Sequence, residues 1–177
     1  MPDVYRICYS GSMSEQRIQT ARFGELTIES DNILHFVEPI LGFPNSQDFM
    51  LLDHAENSPF KWLQSIQEPE LAFVVTNPQF FGIPYEFAIG DEYVTKLALS
   101  NADETLVLTI VNIPAGNPTQ MTSNLLGPLV INQPKRLGMQ LVLADNQYST
   151  KTPLLQPAAT ASNAEGNPKS KNAPVAS

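Results

Sequence analysis

Cysteine is nearly absent from this 177-residue chain: Cys8 stands alone, so no intrachain disulfide, Cys-x-x-Cys pair or cysteine zinc site can form. Histidine occurs only at His35 and His54. The two are neither four residues apart nor inside a short ligand cluster, which argues against a metal site. Bases are scarce, ten Lys and Arg against eighteen Asp and Glu, for a net charge of −8. Direct binding to nucleic acid or anionic lipid needs cations to neutralise phosphate, and they are missing here. The longest uninterrupted apolar runs, such as 71–75, fall far short of the ~20 residues that span a membrane as a helix. No basic-then-apolar leader opens the chain. These absences describe an acidic, soluble, cytoplasmic protein with no call for a cofactor.

The length suits one domain of roughly 100–200 residues, and 42% apolar residues suit a packed core. Charge is unevenly distributed. Residues 23–134 hold fourteen acids against Lys61 and Lys96 alone, while both flanking segments are slightly basic, so the acidity belongs to the folded middle. From Gln156 onward the chain is Ala, Pro, Asn, Ser, Gly and Lys. Such a composition buries too little surface to offset its ordering entropy, so residues 156–177 read as a disordered tail. Residues 1–16 read as a loose extension, with Met13 a possible alternative start. The folded domain is expected over 17–155.

Turn formers punctuate the middle at short intervals, among them Gly24, Gly42, Pro44, Pro59, Pro69, Pro78, Pro84, Pro114, Gly116, Gly127 and Pro128. Most intervals are too short for helices. The segments between them are rich in β-branched and aromatic residues: 25–29, 33–37, 50–53, 71–76, 105–113, 129–132 and 139–143. Short strands spaced this way predict a mainly β fold, a single barrel-like domain of mostly antiparallel strands. The run 105–113 is apolar on both faces and so reads as central. One short helix is expected over 91–99. Gly90-Asp91 offers its N-cap, Glu92 matches the positive end of the dipole, and Val94 and Leu97 are spaced to face the barrel.

Catalytic constellations are missing. The chain has no GxSxG, GxxxxGK[ST], GxGxxG or HExxH pattern. His35, inside an apolar run, reads as a packed or edge-strand histidine, and His54 as a loop residue. Cys8 has no candidate base nearby to activate it. The adjacent carboxylates Asp91-Glu92 and Asp103-Glu104 suit caps and turns better than an acid/base pair, since neighbours in a strand face opposite ways. Phe43, Phe80, Phe81 and Tyr85 all lie beside Gly or Pro. They serve either as barrel caps or as anchors on an acidic protein-binding surface. An enzyme reading therefore has little to stand on, and a small-ligand-binding or enzymatic barrel is the alternative.

Several blocks resemble a known family. Pro59-Phe60-Lys61-Trp62-Leu63-Gln64-Ser65 is followed by Pro69-Glu70-Leu71-Ala72-Phe73-Val74-Val75-Thr76-Asn77-Pro78. Together they are similar to the signature of the FliW flagellar assembly factors. Arg22-Phe23-Gly24-Glu25, Leu41-Gly42-Phe43, Pro84-Tyr85-Glu86 and Asn124-Leu125-Leu126-Gly127-Pro128-Leu129-Val130-Ile131-Asn132 stand in the family's order. Arg136, Gly138, Gln140 and Tyr148 complete the pattern, which covers roughly Thr20 to Leu154. Glu38-Pro39 departs from it, standing where a glycine-containing turn is expected.

The resemblance implies a non-enzymatic, barrel-like protein that exchanges partners. One is CsrA, a small dimeric RNA-binding translational regulator; the other is flagellin. Binding CsrA relieves its repression of flagellin mRNA, and accumulating flagellin reverses this, so synthesis follows export. A dedicated flagellin chaperone without the CsrA link is the alternative within the family. Trp62, Phe73 and Val75 are expected to fill the barrel. Partner contacts are expected from the polar and loop members of the blocks: Glu68, Glu70, Asn77, Pro78, Tyr85, Glu86 and Asn124.

Overall fold

A computed structural model describes residues 16–144 and 147–155. Cys8, residues 1–15 of the expected N-terminal extension and the tail over 156–177 lie outside the described residues. Among the described residues, eleven strands and one α-helix follow in chain order. β1 (Gln16–Thr20) and β2 (Gly24–Ile28) form a separate antiparallel hairpin, turned at Gly24 with φ 67°. β3 (Ile33–Phe36), β4 (Asp48–Asp53), β5 (Phe60–Ser65), β6 (Ala72–Thr76) and β7 (Thr105–Asn112) make an antiparallel meander. α1 (Asp91–Lys96) interrupts the chain before β7. β8 (Thr122–Ser123) and β9 (Leu129–Asn132) both run antiparallel to β7 on its far side. β10 (Leu137–Gln140) pairs antiparallel with β9 and parallel with β3, which closes the ring. β11 (Thr152–Pro153) adds to β8 outside the ring.

The mainly β, mostly antiparallel barrel with one short helix is what the turn spacing predicts. Seven strands form the ring (β3, β4, β5, β6, β7, β9, β10). Side chains alternate across each strand, and the register assigns one set to the inside. Leu34, Phe36, Ile40, Phe49, Leu63, Val75, Leu108, Leu129 and Ile131 form the buried core, and Leu51, Phe73, Leu106 and Ile110 pack against it. A small barrel of this kind is filled by side chains and leaves no channel. The Phe36 and Phe49 rings meet edge to face at 5.1 Å. Phe36 also lies against the one inward position that carries no side chain. A Cβ on Gly138 would meet the Phe36 ring at 2.8 Å, and Gly138 is the register partner of Phe36 across the parallel seam.

Two smaller apolar layers cover the outside. Leu97, Val130, Met139 and Leu141 are buried beneath α1 and the 85–89 segment. Val111, Met121 and Leu154 form the second layer with Phe60, Val74, Phe81 and Ile83. Asn132 fastens α1 to the barrel. It is fully buried, donates from Nδ2 to the Leu97 carbonyl at 2.9 Å and the Ala98 carbonyl at 3.1 Å, and accepts from Lys135 N–H at 3.1 Å. That anchor holds Ala98 in the left-handed region at φ 49°.

The structure corrects several expectations. Residues 60–65 form β5 although they are missing from the expected strands, because Lys61, Gln64 and Ser65 obscure their alternation. Trp62 does not fill the barrel: Leu63 takes the inward position and Trp62 the outer one. There it stacks on His54 at 6.0 Å, meets Phe23 edge to face at 5.8 Å, and lies 4.3 Å beneath the Arg22 guanidinium. His35 is neither packed nor on an edge strand. β3 is paired on both sides, and the ring of His35 is exposed on the outer face with Nδ1 2.7 Å from Asp48. The helix ends at Lys96 rather than 99. Leu97 is buried as expected, while Val94 is only half-buried. The strand expected over 139–143 ends at Gln140.

Candidate functional site

The seven expected contact residues fall into two groups. Glu68 and Glu70 sit on the turn before β6, whereas Asn77, Pro78, Tyr85, Glu86 and Asn124 lie beyond its other end. At ~3.3 Å per residue, the chain from Glu70 to Asn77 runs roughly 20 Å. They do not form one patch.

The first turn is built from inside. Gln64 is fully buried, and its Nε2 donates to the carbonyls of Ser65, Pro69 and Leu71, which folds 65–71 into a compact loop. The Ala21 N–H donates to the Pro69 carbonyl at 3.2 Å, tying the β1–β2 hairpin to it. Ser46 Oγ donates to Glu68 at 2.7 Å, and Ser65 Oγ accepts from the Glu68 N–H at 2.9 Å. Glu68 is thus half-buried and committed to the loop, while Glu70 projects into solvent. A shallow surface cleft runs beside them, lined by Phe43 and residues 67–71.

In the second group, most members hold the backbone. Asn77 Oδ1 caps a single 3-10 turn by accepting from Gln79 N–H at 3.0 Å, and Pro78 is buried at its start. Asn124 Oδ1 accepts from Gly127 N–H at 3.0 Å, shaping the link from β8 to β9. Tyr85 is buried, donates its hydroxyl to the Leu125 carbonyl and packs edge to face on Tyr148 at 4.9 Å. Burial pushes the Tyr85 phenol above its ordinary range, with Tyr148 adding to the effect. The Tyr148 hydroxyl bridges the Glu86 backbone, accepting from its N–H at 3.1 Å and donating to its carbonyl at 2.6 Å. Glu86 itself is exposed. Of the four loop aromatics, Phe43, Phe81 and Tyr85 pack inward, and Phe80 stands out at 69% exposed.

A groove of about 520 Å³ lies where the 85–89 segment, α1 and the 99–102 turn meet the outer face of β7. Its walls include Phe87, Ile89, Val94, Leu99, Thr105 and Val107, with Glu86 the one carboxylate. The signal for it in the sequence was the alternation Tyr85, Phe87, Ile89 between Pro84 and Gly90.

Both lysines of the acidic middle are engaged. Lys61 pairs with Asp53, and Lys96 with Glu38 at 2.8 Å. The hydrogen bond that Lys96 donates to the Glu38 carboxylate is the main cause that raises the Lys96 ammonium above its usual value. Among the described residues no group of three or more His, Cys, Asp or Glu is placed to hold a metal, and no helix is long and apolar enough to cross a membrane.

A closed barrel with a side-chain-filled interior and its grooves on the outside belongs to the class that leaves only its surface for binding. Comparison with known proteins narrows that class. The family model described as FliW protein matches residues 16–154. A flagellar assembly factor FliW of Magnetococcus marinus is 43% identical over 138 residues, 78% of this chain and 84% of that protein. One from Leptospira biflexa is 36% identical over 139 residues, covering 78% and 91%. A crystal structure of the flagellar assembly factor FliW superposes with a TM-score of 0.74 at 31% identity, over 81% of this chain and 99% of that one. The chain belongs to the FliW family of flagellar assembly factors.

Proposed function

We propose that this protein is a stoichiometric partner switch in the cytoplasm: it binds CsrA, antagonises repression of flagellin mRNA, and surrenders CsrA when flagellin occupies it. The observation that carries the reading is the acid surplus of residues 23–134, fourteen acids against two lysines that are already paired with Asp53 and Glu38. The field left over suits a basic regulator, and complementary fields raise association rates roughly 10–1000-fold at low salt. Glu70 and Glu86 are the exposed carboxylates among the expected contacts, and they stand on separate surfaces. Asn77, Pro78, Tyr85, Asn124 and Glu68 support those surfaces by shaping the backbone beneath them.

Isothermal titration into CsrA of the same organism, at low and high salt and with flagellin present, tests the proposal. Salt-sensitive binding that flagellin abolishes is the expected result. Binding to flagellin alone leaves a dedicated chaperone, and no binding to either refutes the switch. Glu70→Lys and Glu86→Lys are titrated separately and together. The pair is expected to weaken CsrA binding at least tenfold with an unchanged thermal midpoint. An effect of the pair within about twofold, under roughly 0.5 kcal/mol, rules these two residues out.

A further inference from the structure

The wall of β7 that faces β6 is only partly used. β6 pairs with β7 at Thr109, Ile110 and Val111 and goes no further, because Asn77-Pro78 turns the chain away and Pro78 has no N–H to continue a ladder. β7 nevertheless runs back to Thr105, paired there with β9 on its other side. Along an antiparallel strand the N–H and C=O groups of alternate residues point to opposite neighbours. The Ile110 carbonyl accepts from Asn124 N–H on the β8 side at 2.9 Å, so Val107 and Thr105 direct their backbone groups to the β6 side. The Thr105 N–H is taken by the Ala102 carbonyl. The Thr105 carbonyl and both polar groups of Val107 are left facing the line that β6 vacates.

Sheet edges are commonly blunted by proline, lysine or shortness. The outer end of this sheet obeys that rule: β11 is two residues long and contains Pro153. The open stretch of β7 does not, since Thr105-Leu106-Val107 is uncharged and β-branched at both edge positions. An added strand would turn alternate side chains to the same outer face as Thr105 and Val107. The 520 Å³ apolar groove lies on that face, within the range of pockets that hold ligands. No Lys or Arg lines it. Glu86 is in its wall, and Asp103 and Glu104 immediately precede the edge.

We propose that the Thr105–Val107 edge and the groove beside it form a docking site for an extended peptide segment of a partner protein. The segment adds as a short strand, sets alternate aliphatic side chains into the groove, and carries Lys or Arg beside them to meet Glu86 and Asp103. This site does not depend on which protein supplies the segment, nor on the CsrA and flagellin reading.

A random decapeptide library selected against the full chain tests it, with the strongest peptide synthesised and titrated. Selected peptides are expected to alternate aliphatic residues and include Lys or Arg. N-methylation is expected to abolish binding at one parity of positions only, and peptide binding to slow hydrogen exchange at the Val107 amide at least tenfold. Ala102→Trp, an exposed position on the groove wall, is expected to weaken binding tenfold or more without altering the fold. Val107→Pro removes the edge donor without touching the β9 ladder and should do the same. If Val107→Pro fails to fold, Ala102→Trp and the methylated peptides still decide. The proposal is overturned if no peptide is enriched, if enriched peptides bind as helices or tolerate methylation throughout, or if the Val107 amide is unaffected. Self-association of the chain that Ala102→Trp abolishes would also overturn it, assigning the face to a second copy.

Discussion

Gly138→Ala adds a single methyl group at the parallel seam that closes the barrel. On an ordinary backbone the change would stabilise by about 0.4–1 kcal/mol, because alanine has less freedom to lose than glycine. The site reverses the sign. The new Cβ would stand 2.8 Å from one carbon of the Phe36 ring and 3.0 Å from two others. That ring is fully buried and held against Phe49, so it cannot retreat without moving the core. Overpacking of this kind costs about 1–3 kcal/mol. At about 4 °C per kcal/mol for a domain of this size, the thermal midpoint should fall by roughly 4–12 °C. Circular dichroism melts of the wild type, Gly138→Ala, Phe36→Leu and the double variant test the cause as well as the size. Leucine at 36 vacates the space the methyl needs, so the double variant should be no less stable than Phe36→Leu alone. A midpoint for Gly138→Ala within 2 °C of wild type, or two additive losses, would refute the reasoning.

Asn132→Ala strips the buried link between β9 and the end of α1, leaving the Leu97 and Ala98 carbonyls without that donor. About 2–4 kcal/mol of stability should be lost in urea unfolding, with exchange protection falling first at 97–99. Tyr85 gives the fold a pH dependence of known sign. Its folded phenol stays protonated above pH ~10, where that of the unfolded chain ionises. The folded state then binds the extra proton, so stability is full below pH ~10 and falls as pH rises past it. Tyr85→Phe should flatten that alkaline decline while costing about 1 kcal/mol at pH 7 through the lost bond to Leu125. A decline equally steep in both proteins would show that Tyr85 does not cause it.

The contact residues show where sequence reasoning stops. Glu70 and Glu86 were legible as acidic loop positions, and both are exposed. Asn77, Asn124 and Tyr85 have the same polar character, yet they spend it on Gln79, Gly127 and Leu125. A side chain's partner depends on where the backbone returns. The groove at Phe87 and Ile89 was visible only as an alternation with no assigned purpose. Its other wall, Thr105 and Val107, comes from a strand expected to be central, whose partial pairing nothing local announces.

The sequence by itself determined the mainly β character of the described residues, the acid surplus of residues 23–134 and the family. Those properties follow from turn residues, β-branched runs and ordered local blocks. The tertiary structure decided which face of each strand is the inside. A period of two is satisfied equally by Trp62 or Leu63 pointing inward, and only the register with β4 and β6 chooses Leu63. It also decided that β10 closes the ring on β3, where the missing side chain of Gly138 makes room for the ring of Phe36. That choice belongs to packing between segments distant in the chain, because the volume at one position is set by its neighbour across the seam and not by its neighbours in sequence.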